Sequence, residues 1–328
     1  MLIPPKYFLT PEISKRLQEI EAAKAVIASV TIPPEVETNI RRASTLKSSL
    51  FSARIEGNPL TLAEVTGKPS KDQKKQEVFN LLKGLSLVHD RGSRDITMSF
   101  LLQLHEKVMK ELTYRDELGK FRHEVSAIFN AAGIAIYMPP PPRQIGGLME
   151  RLLKYSNSDK EPFVPIRACL SHYMFEKIHP FLDGNGRVGR LLLQSILQKT
   201  GYGMKGLLTV EEYLDTHRSE YYRALEESEK DVTEYLAFML EAIAVTAQKA
   251  QEQVMKKELA TPEDYLLPRR AEILLIIKDH QLVSFDLIRR RFMAVNERSL
   301  RYDLKSLADL GLIRKRGTTK GSYYEPRD

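Results

Sequence analysis

Side chains able to bind and act on a phosphate group lie together in the segment from His179 to Arg190. The segment has a Gly-Asn-Gly turn at 184–186, followed by two arginines, Arg187 and Arg190. A helix that begins at such a turn has unpaired backbone N–H groups and a positive dipole end, and guanidinium groups bind phosphate oxygens through paired hydrogen bonds. The spacing therefore predicts a site for a phosphate-bearing ligand.

Two further groups in the segment could supply chemistry beside the phosphates. Asp183 directly precedes the turn, and a carboxylate is the kind of ligand that Mg²⁺ prefers. His179 has an ordinary pKa of about 6.5, so near neutral pH its imidazole can accept a proton from an incoming hydroxyl. Each residue alone has an ordinary explanation, such as a helix cap or a surface ion pair, but the ordered combination favours a nucleotide site.

Helices must hold this segment in place. Apolar periodicity predicts one helix over 165–178 and a second over 187–199. Other predicted helices cover 11–32, 35–56, 73–89, 97–112, 144–155, 216–229 and 233–257, and a short hairpin is predicted between Phe121 and Tyr137.

The segment from His179 to Arg190 resembles the active-site signature of the Fic (Fido) family, His-x-Phe-x-Asp/Glu-Gly-Asn-Gly-Arg-x-x-Arg. Every fixed position is met, and the similarity extends over about Thr97 to Leu240. The resemblance implies a mainly α fold, a Fic helical core with a small β-hairpin flap. It also implies a protein adenylyltransferase that moves AMP from ATP to a Ser, Thr or Tyr hydroxyl of a target protein and releases pyrophosphate.

The resemblance also implies the role of each site residue. His179 would be the catalytic base, Asp183 would hold Mg²⁺, and ATP would be the substrate. Tyr221 and Tyr222 match a tyrosine pair near the adenine pocket, although Glu229 stands where some relatives have a polar amide. The residues implied to bind the phosphates at the helix start are Gly184, Asn185, Gly186, Arg187, Val188, Gly189 and Arg190.

A flap is implied upstream of the signature. Gly119-Lys120-Phe121-Arg122 resembles the stretch before the family's flap, and Gly133 to Tyr137 with Pro139 to Pro142 resembles the flap itself. Its residues Gly133, Ile134, Ala135 and Ile136 would align an extended target segment by strand addition.

A second motif lies near the N-terminus. Ser52-Ala53-Arg54-Ile55-Glu56-Gly57 resembles the family's inhibitory motif, Ser/Thr-x-x-x-Glu-Gly/Asn. The resemblance implies that Glu56 pairs with Arg190 and occupies the group that the γ-phosphate needs. The alternative is that Glu56 merely ends a surface helix before a Gly-Asn-Pro turn.

Two other functions use the same residues. The first is the reverse reaction, de-AMPylation, in which Glu56 aligns a water molecule that hydrolyses AMP from a modified protein. The second is a DNA-binding regulator whose Fic core only senses nucleotide.

The C-terminal region has its own pattern. Three predicted helices from about Pro268 and a basic hairpin over 312–325 resemble a winged-helix (α+β) domain. Residues 262–328 hold 14 basic and 10 acidic side chains, which is +4 of the total +7. The side chains placed on the exposed side of the third helix, where such folds contact DNA, are Arg298, Arg301, Tyr302 and Lys305. Such domains also bind proteins, so both partners stay open.

Composition narrows the class of protein. The chain has 328 residues, 42% hydrophobic and 28% charged, which is typical of a globular protein. The single cysteine, Cys169, excludes an intrachain disulfide and a CxxC metal site. The lack of a leader pattern or long apolar run predicts a cytoplasmic protein with no membrane span.

The patterns together predict three regions. These are an N-terminal helical region with the inhibitory motif at 1–94, a Fic catalytic core at 95–260 and a winged-helix domain at 261–328. The target's identity is not determined by the sequence, and a homodimer is left open.

Overall fold

The structure, a computed structural model, describes residues 2–65, 72–129, 135–257, 266–293, 295–317 and 322–327. Across these ranges, no helix combines the length and the apolar character that crossing a membrane requires. The tip of the predicted flap, including Gly133 and Ile134, lies outside the described residues, as does the predicted boundary at 261.

The helices (α) and strands (β) are numbered in chain order. The first part of the chain forms α1 (Pro11–Ser29), α2 (Pro34–Ile55), α3 (Leu62–Val65), α4 (Gln73–Arg91), α5 (Met98–Met109), β1 (Ile128–Phe129), β2 (Ala135–Tyr137), α6 (Pro142–Ser156), α7 (Val164–Ile178) and α8 (Asn185–Lys199). A 3-10 turn (Met204–Gly206) is followed by α9 (Val210–Thr216), α10 (Arg218–Leu225) and α11 (Thr233–Lys257). The last part forms α12 (Pro268–His280), β3 (Val283–Ser284), α13 (Phe285–Arg291), α14 (Glu297–Asp309), β4 (Ile313–Arg316) and β5 (Tyr323–Pro326).

The chain divides into two compact units. The first contains Met1–Ser29 and Arg41–Glu252, and the second contains Val30–Ile40 and Gln253–Asp328. The region predicted as N-terminal thus shares a unit with most of the predicted catalytic core, and the three-part division by function stays a prediction.

Helices α7 and α8 form the centre of the first unit. Nearly every residue of both helices is buried, which is the pattern of a helix surrounded by protein on all sides. The neighbouring helices α4, α5 and α6 pack against this pair. Because both flanking helices are fixed by close packing, the short loop between them is held in place.

A short antiparallel hairpin stands beside this loop. Strand β1 pairs with β2, with Ile128 opposite Tyr137 and an irregularity in register at Phe129. The mainly helical architecture with one small hairpin in this unit agrees with the fold predicted from the sequence.

One predicted helix is shorter in the structure. The pattern predicted a helix over 216–229, and α10 covers Arg218–Leu225. The preceding helix α9, which was not predicted, ends at Thr216, and His217 between the two helices has φ and ψ of −117° and 40°. The Thr216 hydroxyl donates to the Tyr213 carbonyl at 2.9 Å, and the His217 ring nitrogen Nδ1 lies 3.0 Å from the same oxygen. Side chains that bond to nearby backbone carbonyls in this way compete with continuation of the helix.

The second unit has a separate apolar core. Helices α12, α13 and α14 pack on an antiparallel sheet in the order β3-β5-β4. Ile273, Ile288, Leu300 and Leu307 are fully buried between them. The three helices and the hairpin match the predicted elements, whereas strand β3 was not predicted; the assignment to the winged-helix class stays a prediction.

The close approach of α4 to α8 gives a test of the packing. A Cβ added at Gly84 would lie 2.9 Å from Leu191 Cδ1 and 3.0 Å from Val108 Cγ2. Overpacking a core usually costs about 1–3 kcal/mol, so we expect Gly84→Ala to lower the free energy of unfolding by about 1 kcal/mol in urea denaturation. Gly146→Ala on α6 is the matched control, because a Cβ there meets nothing within 4 Å. The free energy of unfolding of the control should rise by about 0.5–1 kcal/mol, because alanine favours a helix over glycine. Equal changes in the two variants would contradict the close packing of α4 on α8.

Candidate active site

The loop between α7 and α8 is closed by its own side chains. Helix α7 ends at His179, which takes a left-handed backbone with φ of 50° and donates its N–H to the Phe175 carbonyl at 2.9 Å. The Asn185 amide accepts from the Phe181 N–H and donates to the Phe181 carbonyl, both at 2.8 Å. Asn185, predicted to bind phosphate, thus uses its side chain to brace the loop and leaves only its backbone to face a ligand.

The first turn of α8 is open to an anion. The helix begins after Gly184, which has φ of 81° and provides no side-chain cap. A carboxylate occupies the position beside this turn, because a Cβ added at Gly186 would lie 2.6 Å from Oε1 of Glu56. The positive end of the helix and its unpaired N–H groups favour a negative charge at this point.

Arg190 connects this turn to the predicted inhibitory motif. Its side chain is among the largest fully buried in the protein. Its Nη2 donates to Glu56 Oε1 at 2.8 Å and to the Ser52 carbonyl at 2.9 Å, and its Nε donates to Ser52 Oγ at 3.0 Å. The structure therefore brings Ser52, Glu56 and Arg190 together, and Gly57 ends the helix with φ of 96°.

The last turn of α2 is fastened at two further points. Tyr222 and Arg218 of α10 donate to the carbonyls of Ile55 and Arg54 at 3.1 and 3.2 Å. The Arg54 guanidinium also pairs with the largely buried Asp215 at 3.0 Å. The carbonyls at the end of a helix need such donors, so α10 stabilises the position of Glu56.

The helix that precedes Glu56 buries both hydroxyl and apolar side chains. Its buried residues include Ser44, Thr45, Ser48, Ser49 and Ser52, together with Leu50, Ala53 and Ile55. Ser48 donates to the buried carboxylate of Glu211. The hydroxyl groups lose little when they return to water, whereas the apolar side chains oppose separation of the helix from the core.

The imidazole of His179 is uncharged in this setting. Burial lowers its pKa to about 4, although the Glu176 carbonyl and the carboxylates of Glu56 and Asp183 act in the opposite direction. A neutral imidazole at physiological pH can accept a proton, as the sequence predicts for this residue.

Asp183 is held within a chain of charges. Its Oδ1 accepts from Gly184 N at 2.5 Å and from Arg187 Nη2 at 2.8 Å. The buried Arg187 guanidinium donates its other terminal nitrogen to Glu77 at 2.7 Å. The Asp183 side chain is nevertheless 59% exposed, so it faces outward while its ion pair with Arg187 fixes its direction.

A histidine that the sequence reasoning missed contacts the backbone of Asp183. His105 of α5 stacks on Phe181 with ring centroids 3.9 Å apart. Its Nε2 lies 3.1 Å from the Asp183 carbonyl, and its Nδ1 accepts from Gly119 N at 2.9 Å. Burial lowers its pKa to about 4, so the ring is neutral and its Nε2 is the donor. Its spacing gave no signal, because it lies far from the signature in sequence.

These residues open into one cavity of about 660 Å³. Its lining includes Glu56, Glu176, His179, Gly186, Arg190 and the tyrosine pair Tyr221 and Tyr222. The flap contributes Ile128, Ile136 and Tyr137. The base and the open helix start, which are close in sequence, therefore share one space with the flap, which lies upstream of them.

Some predicted residues lie around this cavity rather than in it. Val188 is fully buried in the core, and a Cβ at Gly189 would meet the side chains of Glu176 and Phe175, so both residues serve the packing of α7 on α8. Tyr221 and Tyr222 differ from these residues because both line the cavity: Tyr221 is buried with its hydroxyl 3.1 Å from His172 Nε2, whereas Tyr222 is 42% exposed. Ala135 is exposed on the flap strand β2.

Glu176 is a second group that sequence reasoning missed. Burial raises its pKa to about 8, with Arg190 opposing and Glu56 reinforcing the shift. Its Oε1 lies 3.7 Å from His172 Nε2 and, among the described residues, has no hydrogen-bond partner. Burial lowers the pKa of His172 to about 3, so this contact joins two neutral groups and is not an ion pair.

The chain is similar in sequence and fold to known Fic proteins. The sequence model of the Fic/DOC family matches residues 95–197. A crystal structure of a Fic family protein from Desulfovibrio desulfuricans G20 shares 25% identity over 98% of both chains, with a TM-score of 0.66. Fic-1 from C. elegans (aa134–508) has a TM-score of 0.62 at 19% identity and covers 74% of this chain. The chain therefore contains a Fic domain, and the mainly α Fic core predicted from the sequence is confirmed.

The curated relatives are named for an activity. A protein adenylyltransferase Fic from Drosophila willistoni is 28% identical over 250 residues, and one from Drosophila melanogaster is 26% identical over 245 residues. The match covers 71% of this chain but 47% of each relative, so the chain spans about half the length of these proteins.

Glu176 gives a test of the site's electrostatics. The folded protein keeps a proton on this carboxyl that the unfolded chain releases above about pH 4.5. Stability from this group is therefore complete below that pH and is lost as the pH rises towards 8, whereas Glu176→Gln keeps a neutral side chain throughout. From pH 5 to pH 7.5, urea denaturation should show the variant gaining about 1 kcal/mol or more relative to wild type.

A second glutamate serves as the control for this measurement. Glu150 is exposed on α6, so the stability difference between Glu150→Gln and wild type should not change with pH. A constant difference for Glu176→Gln as well would show that its carboxyl is ionised in the folded protein.

Proposed function

We propose that this protein transfers AMP from ATP to a Ser, Thr or Tyr hydroxyl of a target protein. The observation that carries the proposal is the single cavity in which a neutral His179 faces the open first turn of α8 and Arg190. The names of the curated relatives support the same reaction.

The chemistry follows from these residues. The phosphates of ATP would lie on the backbone N–H groups at the start of α8, with Arg190 on the outer phosphates. The target hydroxyl would give its proton to His179 while its oxygen attacks the α-phosphorus. The bond from that phosphorus to the oxygen bridging to the β-phosphate then breaks, and pyrophosphate leaves with its charge stabilised by the arginines and the helix start.

Mg²⁺ fits this site when it arrives with the triphosphate. The described residues contain no cluster of three His, Cys, Asp or Glu side chains that could hold a metal ion. Mg²⁺ at nucleotide sites commonly takes one or two carboxylates together with phosphate oxygens and water, so the outward-facing Asp183 would suffice. The ion would neutralise charge on the phosphates.

Glu56 would keep the enzyme inactive. Its carboxylate occupies both the start of α8 and the Arg190 guanidinium, the two groups that the outer phosphates need. A γ-phosphate cannot take this position without displacing like charge, so ATP would bind in an unreactive pose. The ion pair of Glu56 with the buried guanidinium of Arg190 favours this interpretation over a helix that merely ends at the surface.

The flap would hold the target. Strand β2 is exposed at Ala135 and Ile136 and borders the cavity, so an extended target segment could add to its edge and place a hydroxyl near His179.

The activity and its inhibition are tested with ATP labelled at the α-phosphate. We expect Glu56→Gly to incorporate label into lysate protein about tenfold or more faster than wild type, because Arg190 and the helix start become free for the phosphates. His179→Ala in the Glu56→Gly background should incorporate none. Label retained from γ-labelled ATP would indicate phosphoryl transfer instead, and equal rates for wild type and Glu56→Gly would remove the inhibitory role.

The same reagents distinguish the reverse reaction, de-AMPylation, from the transfer of AMP. Protein labelled by Glu56→Gly is incubated with wild type without free ATP. Release of AMP by wild type, and none by Glu56→Gly, would assign hydrolysis of the AMP–protein bond to this site.

A second function is suggested by the C-terminal unit. On α14, the exposed side chains of Arg298, Tyr302 and Lys305 follow one helix face, the spacing that fits a nucleic-acid groove. Arg301 is also exposed, as predicted, and its guanidinium lies 3.9 Å from the centroid of the Phe285 ring and 3.7 Å from Glu297. We propose that this face binds duplex DNA through its phosphates.

DNA binding is measured with a 20-base-pair duplex across a salt series. Arg298→Ala with Lys305→Ala should weaken binding and reduce the slope of log affinity against log salt by about 1–2, since each cation that contacts a phosphate displaces about one counterion from the DNA. The pair Lys154→Ala with Lys160→Ala, exposed on the first unit, removes the same charge and should leave the slope unchanged. Absence of binding at low salt would exclude the function, including a nucleotide-sensing DNA regulator.

A further inference from the structure

One buried arginine joins the catalytic loop to both ends of the flap. The Arg122 side chain precedes β1, and the residue is 2% exposed. Its Nε donates to the His179 carbonyl at 2.8 Å, its Nη1 to the Glu124 carbonyl at 2.8 Å and its Nη2 to the Pro140 carbonyl at 2.6 Å. The backbone N–H of Arg122 donates to the Pro180 carbonyl at 2.9 Å.

The three carbonyls belong to separate parts of the site. His179 carries the base, Glu124 lies where the chain enters the flap hairpin, and Pro140 lies where it leaves. A hairpin of two and three residues in its strands has little stability of its own. The fixed angles of one planar guanidinium therefore set the position of the flap relative to the base.

The energetic setting supports a geometric role. All described hydrogen bonds of the Arg122 side chain go to backbone carbonyls, and burial lowers the pKa of this group. A buried cation held by carbonyls alone is unfavourable compared with an apolar side chain of similar size. Lysine has a single ammonium group in place of the planar fork and cannot reproduce the three directions of donation.

The base itself needs this support. His179 has φ of 50°, a backbone conformation that residues other than glycine adopt rarely and that persists where surrounding contacts hold it. The bond from Arg122 fixes the direction of the His179 carbonyl and hence the peptide plane on one side of the base. A further contact ties the flap to α7, from the Tyr137 hydroxyl to the Lys177 carbonyl at 3.1 Å.

We propose that Arg122 is a positioning residue that holds the flap at a fixed distance from His179, so that a target hydroxyl bound on the flap meets the base. The inference rests on the proposed transfer of AMP and adds the residue that couples target binding to catalysis. Arg122 acts through the backbone and lies outside the described lining of the cavity, so ATP does not contact it.

The experiment compares Arg122→Gln and Arg122→Lys in the Glu56→Gly background. Two rates are measured with α-labelled ATP: transfer to lysate protein, and release of pyrophosphate when water is the only acceptor. We expect Arg122→Gln to lower the ratio of protein transfer to hydrolysis about tenfold, with the Kd for ATP within about twofold of the parent. Arg122→Lys should recover part of the ratio, because an ammonium group can still reach one carbonyl.

Arg167→Gln is the matched control. Arg167 is equally buried, at 4% exposed, and its Nη1 donates to the Ser158 carbonyl, but it lies at the start of α7, away from the cavity. This control should keep the ratio of the parent. An unchanged ratio in Arg122→Gln, or the same loss in Arg167→Gln, would overturn the proposal.

A second readout does not depend on activity. Amide hydrogen exchange should accelerate in peptides covering 123–129 and 135–141 of Arg122→Gln, while exchange in α8 stays as in the parent. Unchanged exchange at the flap would overturn the positioning role even if the enzyme is active. If the Glu56→Gly parent transfers no label while the flap still loosens, the proposed function fails and the structural part of the inference stands.

Discussion

The site depends on the first turn of α8, where unpaired backbone N–H groups and the buried guanidinium of Arg190 need a negative partner. Neither group can be left alone, because an uncompensated buried cation is among the most unfavourable features that a protein interior can hold. In this structure the partner is the carboxylate of Glu56. The same physical requirement that would bind the outer phosphates of a triphosphate thus gives Glu56 a place to bind, and the two would compete for it.

The surroundings keep other groups near this turn neutral. Burial lowers the pKa values of His105, His172 and His179 and raises that of Glu176. Beside the first turn of α8 the charged pair is therefore Arg190 and its carboxylate partner, while Lys177, Arg218 and Glu226 line other parts of the cavity. An imidazole that stays unprotonated is ready to accept a proton, and a carboxyl that keeps its proton does not compete with the incoming phosphates for the arginine.

Hydrogen bonds between elements connect the separate parts of the site. Tyr222 of α10 donates to the end of α2 and also lines the cavity. A ligand in the cavity that moved Tyr222 would therefore also affect the position of Glu56. The flap is tied to the catalytic loop through the guanidinium of Arg122. Binding of nucleotide, withdrawal of inhibition and presentation of a target would then act on the same small set of hydrogen bonds.

The sequence by itself determined the helices, the glycine turn, the paired arginines and the resemblance to Fic proteins, because these depend on residue type and spacing over short stretches. It also indicated the pairing of Glu56 with Arg190, but only through the resemblance to the family's inhibitory motif, since 134 positions separate them. Only the tertiary structure decided that Asn185 braces the loop, that Arg301 packs on an aromatic ring and that His105, Arg122 and Glu176 belong to the site. Protonation and hydrogen bonding depend on burial and on partners distant in sequence, and these are set when the helices pack.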